Sequence, residues 1–521
     1  MKITIEKKYL TFPINTQTSN KKVTFKNSAG ELVFDLDCKL DNISPNFTAY
    51  VDVTRFKGMT LEIAADPEMK LNIGETDEFV SDEVYKDDLR PRIHFTVKNG
   101  WNNDPNGLIK MNGVYHMFYQ YNPCSAEWGN MHWGHATSTD LIHWEETDIA
   151  LYPDEFGTMY SGSAIEDKNG IAPVGTAGKS KMLLYYTAAA NNLMSKGKKH
   201  TQRLAYSEDG GKTFVKYNDA PMVDFIEGGN RDPKVIWVDE LNAYVMIIYL
   251  DGNRFAMFRS TDLVTWEKFQ DIVLPSDREC PDLFPLTTDE GEKVWIIIAA
   301  SDFYIVGKFV GGKFIEINKE KRLNHNRVNY AAQTYSGIDD GRVIRTYWQR
   351  AAAPSPTVTQ QMSIPTELSV KREINGYHLF ALPVSEFELL RDNTVTHTDL
   401  TVSAPFCESF DECKPLDITV KAEYKEGEFL DLNVFGANIR MDMKNNCVAF
   451  LKEKMPLSMK KNTVDLRVIV DRCTIELFAD GGRYLLAVQH LWDRNLPNIR
   501  LRSSATVKVT DFTVHTLKGI N

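Results

Sequence analysis

The sequence predicts a nearly all-β chain in three parts: a small N-terminal β-rich domain, a propeller-like middle and a C-terminal β-sandwich. Three observations carry this expectation. Short apolar runs of period two, rich in Val, Ile, Tyr, Phe and Thr, dominate, and no long stretch carries a helical stripe. One turn motif recurs three times in the middle of the chain. Composition shifts near residues 88 and 383, and 521 residues exceed one ordinary core at roughly 150 residues per domain.

Residues 1–88 form a strand-rich block that ends in a charged stretch, 77–90 (DEFVSDEVYKDDLR), read as a linker. Residues 89–383 hold the runs 114–121 (VYHMFYQY), 181–188 (KMLLYYTA), 243–250 (AYVMIIYL) and 293–300 (KVWIIIAA), each bounded by turn formers. Here Ser138, Thr139, Asp140 and Leu141, followed by Trp144, recur as Ser260, Thr261, Asp262 and Leu263, followed by Trp266. A looser copy runs from Ser207 through Asp209 to Phe214. In each, a strand ends at Ser, an Asp-centred turn follows and an aromatic opens the next strand. Small antiparallel sheets closed by such turns are what propeller blades look like, the alternative being three unrelated hairpins. Residues 384–521 open with a candidate connecting helix at 385–390 (SEFELL) and then alternate like a sandwich, as in 464–480.

Composition narrows the partners. Lys and Arg number 60 against 71 Asp and Glu, a net charge of −11 with no basic block, which argues against nucleic acid or an anionic membrane surface. A neutral ligand fits better. No apolar run approaches the ~20 residues of a membrane helix. The seven cysteines are scattered without a C-x-x-C pair, so zinc ribbons and thioredoxin chemistry have little support, although one disulfide stays open. The first ten residues lack the apolar stretch of a signal peptide: the protein is either cytoplasmic or has lost a leader.

Chemistry points to carboxylates in unusual surroundings. Asp104 lies in 101–107 (WNNDPNG), after Trp101, Asn102 and Asn103 and before a Pro-Asn-Gly turn. Amides donating to an ionised carboxylate hold its pKa low, as a nucleophile requires; a plain structural turn is the alternative. Arg231 and Asp232 form a second site, where Pro233 fixes the chain at the start of a strand, unless the pair is only a solvated turn. Glu279 precedes an apolar, proline-bearing stretch, a partly desolvated setting that suits a general acid if it is more than an ordinary loop Glu. Around them Gln120, Trp128, Trp133, His135, Tyr160 and Ser161 offer the flat rings and polar groups of a sugar-binding wall. His132 and His135 are three apart, but core or hydroxyl-bonding roles outweigh metal ligation, and neither a metal nor a cofactor is expected. Glycosidic cleavage needs two carboxyl groups facing each other across the bond, and three loop carboxylates would supply both with one spare.

These strings resemble glycoside hydrolase family 32, the invertase, inulinase and levanase group. Residues 101–107 look like the family's W-M-N-D-P-N-G with Asn102 for Met, followed in order by 118–123 (FYQYNP), 133–136 (WGHA), 160–164 (YSGSA), 231–234 (RDPK) and 279–282 (ECPD). Downstream, 330–334 (YAAQT), 361–368 (QMSIPTEL) and 471–478 (DRCTIELF) also fit. The resemblance implies a five-bladed propeller followed by a β-sandwich, and hydrolysis of β-D-fructofuranosyl linkages with retention. By position it makes Asp104 the nucleophile, Glu279 the acid/base and Asp232, with Arg231, the transition-state stabiliser. Trp101, Asn103, Gln120, Trp128, Tyr160, Ser161 and Trp348 would line the site for terminal fructose. The substrate would be a fructan (inulin or levan), a fructo-oligosaccharide or sucrose, attacked from the chain end.

The sequence departs from the family at 323–329 (LNHNRVN), where an Asp and a Gly are usual, and along 345–356 around Trp348. The first leaves linkage preference open, and the second bears on the wall role of Trp348. Residues 1–88 resemble an accessory β-domain of some Bacteroidetes members, which implies an extracytoplasmic enzyme (periplasmic, surface-anchored or secreted) whose leader is absent from this sequence. Three rival activities use the same residues: an endo-acting levanase or inulinase, a fructosyltransferase, and a non-catalytic fructan-binding protein. Oligomeric state is not legible.

Overall fold

The computed structural model describes residues 1–520 except 80–84, 86, 88, 218–219, 327, 352–357, 425–426 and 459–461. Parts of the linker read at 77–90 and of the departures at 323–329 and 345–356 therefore lie outside the described residues.

Five antiparallel sheets succeed one another between Trp101 and Pro383, each pairing its strands in sequence order. Their first strands are Trp101–Met111, Thr158–Asp167, Arg231–Val238, Asp282–Thr287 and Asn329–Thr334. Each of these packs against the next, and the fifth returns to the first. The ring is closed by backbone hydrogen bonds, Lys110 N to Ser336 O and Ser336 N to Leu108 O, both 2.9 Å. This is a five-bladed β-propeller. Blade interiors explain the unbroken apolar runs: Lys181–Ala189 is buried at every residue because neighbouring blades cover both faces, so alternation has no role there. Where one face meets water the alternation returns, as in Thr60–Asp66.

The recurrent turn joins the third and fourth strands of the first three blades. Ser138, Ser207 and Ser260 each hydroxyl-bond the Asp two residues on, at 3.1, 2.7 and 3.0 Å. That Asp accepts backbone N–H groups farther along the turn. The fourth residue of each copy is left-handed: Leu141 (φ 68°), Gly210 (φ 76°) and Leu263 (φ 69°). Blades four and five turn without this motif, at Gly311-Gly312 and Ile374-Asn375, so the repeat marks three blades of five.

One local expectation fails. Pro105, Asn106 and Gly107 are not a turn but part of the innermost strand Trp101–Met111. That strand pairs on one side only within its sheet, so a proline is tolerated there. Register shifts on either side of Pro105 and Asn106 take up the irregularity.

The N-terminal strands form a four-stranded and a three-stranded sheet around a core containing Phe12, Phe25 and Phe34. Residues Ser385–Leu390 form a 3-10 helix, after which two six-stranded sheets enclose a second apolar core, including Leu432, Val468 and Phe512. A buried clasp ties this sandwich to the chain entering the propeller. The Asp471 carboxylate accepts the N–H groups of Arg92 and Ile93, and His94 sits between Asp471 (2.7 Å) and Glu476 (2.8 Å). The string 471–478 supplies both acids. No helix among the described residues is long and apolar enough to cross a membrane.

Candidate active site

The first few residues of the innermost strands, or those just before them, converge on one cavity of about 400 Å³. Asp104, Ser161, Asp232, Glu279 and Tyr330 each come from a different blade. The ladder slips at this level in four blades, between Asn102 and Pro105, Tyr160 and Gly162, Arg231 and Lys234, and Tyr330 and Gln333. A bulge frees a residue from pairing and re-aims its side chain, which is how Asp104, Ser161 and Asp232 leave the alternation to face the cavity. In the fourth blade Glu279 (φ 61°) and Cys280 (φ 40°) do the same just ahead of the strand, and Asp232 itself has φ 63°. Left-handed backbone at non-glycine residues costs free energy, and its concentration here marks a site the surrounding fold holds in place.

Each carboxylate has distinct partners. Asp104 accepts the Ser161 hydroxyl at 2.7 Å. It keeps some surface open to the cavity, but the cavity lies deep, and that burial pushes its carboxyl above the ordinary value despite the bonds from Ser161 and Asn103. The expectation that neighbouring amides keep this acid low is thus overturned: desolvation, reinforced by the nearby Glu279, outweighs the hydrogen bonds. Asp232 is pushed up to about 6 by burial, against the pull of Arg231. Arg231 links the two far groups, 3.1 Å from Glu279 Oε1 and 3.6 Å from Asp232 Oδ2, with its guanidinium over the Tyr249 ring. Glu279 also accepts the Tyr330 hydroxyl at 2.9 Å. Its surroundings are therefore polar and cationic rather than the apolar setting read from the sequence.

The wall is built as follows. Gln120 donates to Met159 O at 2.8 Å. Asn106, with its amide oxygen toward Gln120 (3.0 Å), donates to Ser161 Oγ at 3.2 Å, tying two lining residues together. Trp128, half exposed, meets the Tyr160 ring edge-on at 5.9 Å, and Trp348 also lines the cavity. Asn103 lines the cavity and accepts the Trp101 indole N–H at 2.8 Å. Trp101 is not among the residues lining the cavity; it meets Trp348 edge-on at 6.0 Å and so supports Asn103 and Trp348. Trp133 is fully buried and bonds Tyr160 O. His132 and His135 are core residues bonded to Asn130 O and to His116 and Thr147. Among the described residues no cluster of three potential metal ligands occurs.

Four lining residues escaped sequence reasoning: His200, Cys280, Tyr330 and Arg350. Cys280 places Sγ 3.5 Å from Asp232 and 3.7 Å from Asp104, and its N–H bonds Asp232 at 3.0 Å; burial pushes the thiol up. Arg350 stacks on Tyr330 with its guanidinium 3.6 Å from the ring centroid. Cys280 and Tyr330 lie inside the family-like strings 279–282 and 330–334, a signal for these two; His200 and Arg350 carry none.

Chemically, the cavity offers one carboxylate bonded by a serine hydroxyl, one held by Arg and Tyr, and a buried third acid that shares the same Arg. Flat rings and hydroxyl-bonding groups surround them, a set suited to a sugar ring and acid/base cleavage at its edge.

Residues 94–383 match the family described as "Glycosyl hydrolases family 32 N-terminal domain", and 388–516 match "Glycosyl hydrolases family 32 C terminal". The chain is 31% identical to a levanase of Bacillus subtilis over 495 residues, 84% of this chain and 71% of that protein. It is 31% identical to a fructan beta-fructosidase of Streptococcus mutans over 516 residues, 88% of this chain and 35% of that longer protein. The fold is similar to that of a crystallised exo-inulinase from Aspergillus awamori, with TM-score 0.73 and 24% identity, covering 83% of this chain and 99% of the other.

Proposed function

The chain belongs to glycoside hydrolase family 32, and we propose that it is an exo-acting fructan β-fructosidase working by double displacement through Asp104 and Glu279. It is a glycoside hydrolase of β-D-fructofuranosyl linkages in fructans and sucrose. The observation that carries the finer reading is the convergence of Asp104, Asp232 and Glu279 from three blades on one small cavity. At about 400 Å³ it lies near the low end of ligand pockets, roughly 300–1,000 Å³, which fits the end of a chain better than an internal stretch.

In this reading Asp104 attacks the anomeric carbon of the terminal fructosyl ring while Glu279 protonates the departing oxygen. The Ser161 hydroxyl and Asn103 orient the attacking carboxylate. As Glu279 gives up its proton, Arg231 and Tyr330 stand ready to stabilise the anion left behind. Glu279 then takes a proton from water, which displaces Asp104 and frees fructose with its anomeric configuration retained. Asp232, bridged to the acid through Arg231, holds ring hydroxyls, and Gln120, Trp128, Tyr160 and Trp348 shape the wall. The division at 1–88, 89–383 and 384–521 belongs to the same proposal, supported by separate cores at the two ends. Because fructans are polymers, we place the enzyme's work outside the cytoplasm.

Chromatography of products from inulin, levan and sucrose tests the reading. Free fructose alone at early times is expected. A ladder of oligosaccharides would replace it with endo action, transfer products with a fructosyltransferase, and bound but uncleaved fructan with a binding protein.

A further inference from the structure

The family match begins at residue 94, leaving the N-terminal domain without a role, yet one of its strands contacts two propeller loops that lead to the cavity. Leu32–Cys38 is the edge strand of the four-stranded sheet, with one side unpaired by any strand of its own domain. One propeller loop occupies that free edge, and a second meets the same strand through the Asp35 side chain. The Asn130 side chain accepts from Asp37 N and donates to Asp37 O, both at 2.8 Å, as a neighbouring strand would. It stands in left-handed backbone (φ 48°) and also bonds Asn122, whose amide holds Glu127 O, so the loop 123–131 is tied to the edge at its base. Lys39, just past the strand, pairs with Glu127 at 2.5 Å, and Cys124 is buried in the N-terminal domain's own core. Trp128 sits in that loop.

The second loop, 190–200, docks on the same strand through Leu193 N, 3.1 Å from the Asp35 carboxylate. This loop carries Asn191, which donates to the Tyr160 hydroxyl at 2.9 Å, and ends at His200, 5.7 Å from the Tyr160 ring. Trp128 and Tyr160, the edge-to-face pair of the sugar wall, are thus each held through a loop anchored on one strand outside the catalytic domain.

We propose that the N-terminal domain is a positioning element of the active site: the free edge of Leu32–Cys38 clamps the loops that set Trp128 and Tyr160, and so governs affinity for the fructosyl unit rather than the chemical step. This rests on the cavity being the fructose site. An edge left open would have been a pairing hazard; here it is covered by a loop that carries Trp128 to the cavity. Loops freed from the clamp must be ordered by the ligand, which weakens binding and leaves Asp104 and Glu279 where they are.

The test is Asn130→Gly, which keeps the left-handed backbone and deletes the amide, with Lys39→Glu, Glu127→Lys and their double swap. We expect KM for sucrose and the inhibition constant of fructose to rise together about three- to tenfold in the single variants, with kcat within about twofold. The double swap should recover most of the loss. Amide hydrogen exchange in 123–131 and 190–200 should quicken in Asn130→Gly, while strands of the fourth blade keep wild-type rates. Unchanged KM, unchanged exchange in these loops, or a fall in melting temperature with kinetic constants intact would each overturn the clamp. If the wild-type protein cleaves no fructoside, the fructose reading falls, and the exchange rates still decide whether the edge positions the loops.

Discussion

Replacing Tyr330 by Phe deletes one oxygen and leaves the ring, so Arg350 and Trp348 keep their packing partner. The lost group is the donor 2.9 Å from Glu279 Oε2. During fructosyl transfer to Asp104 the acid passes its proton to the leaving oxygen and becomes an anion, so this bond matters most at the transition state. A hydrogen bond to a charged group is worth about 1.5–3 kcal/mol, and each ~1.4 kcal/mol is tenfold in rate. We expect kcat/KM on sucrose to fall about 10- to 100-fold. An aryl fructoside with a nitrophenolate leaving group needs no proton from Glu279 and should lose about twofold or less when fructosylation limits. Steady-state rates on both substrates, with matching melting curves, measure this. Equal losses on the two substrates, or a loss on sucrose below about twofold, would refute the role given to Glu279 and to the residue that supports it.

Three other outcomes follow from the same geometry. Asp104→Asn should lower turnover by about four orders of magnitude or more without moving the melting temperature downward, and near-normal rates would remove Asp104 as nucleophile. Asp232 is raised by burial from 3.8 to about 6, so the fold loses stability as pH climbs through that interval; at pH 7 Asp232→Asn should gain about 1–2 kcal/mol in unfolding experiments while losing activity. For His94, burial alone would lower the pKa, but Asp471 and Glu476 lift it from 6.5 to about 9. Its contribution is therefore full below 6.5 and lost as pH rises toward about 9, and a wild-type melting temperature that falls over this window should become flatter in His94→Asn.

What the sequence makes legible follows from where the chemistry sits. Asp104, Asp232 and Glu279 stand in short strings whose composition is unusual for a turn, and the Ser-to-Asp repeat marks the outer turn of three blades. Blades four and five close on two-residue turns, Gly311-Gly312 and Ile374-Asn375, that leave no such mark. The bulges at the mouth cannot be read in advance, because 101–107 looks like a turn until the innermost position of its strand accounts for the proline. Tyr330 reads as one more strand aromatic, and only the ring of blades carries it across to Glu279. Desolvation has the same character. Asn103 is visible as a donor to Asp104, whereas the Ser161 bond and the burial that outweighs both depend on converging strands. The edge strand at 32–38 looks like any other in the sequence; its function depends on Asn130 and Asp35 meeting partners nearly a hundred or more residues away.

The most direct measurement is mass mapping of Glu279→Gln quenched while turning over a nitrophenyl fructoside. Without its acid/base group the variant should still load from a good leaving group but shed the sugar slowly, so one anhydrofructosyl unit should accumulate on the peptide holding Asp104. Labelling of a peptide holding Asp232, or turnover with no covalent adduct and inverted fructose as product, would contradict the account.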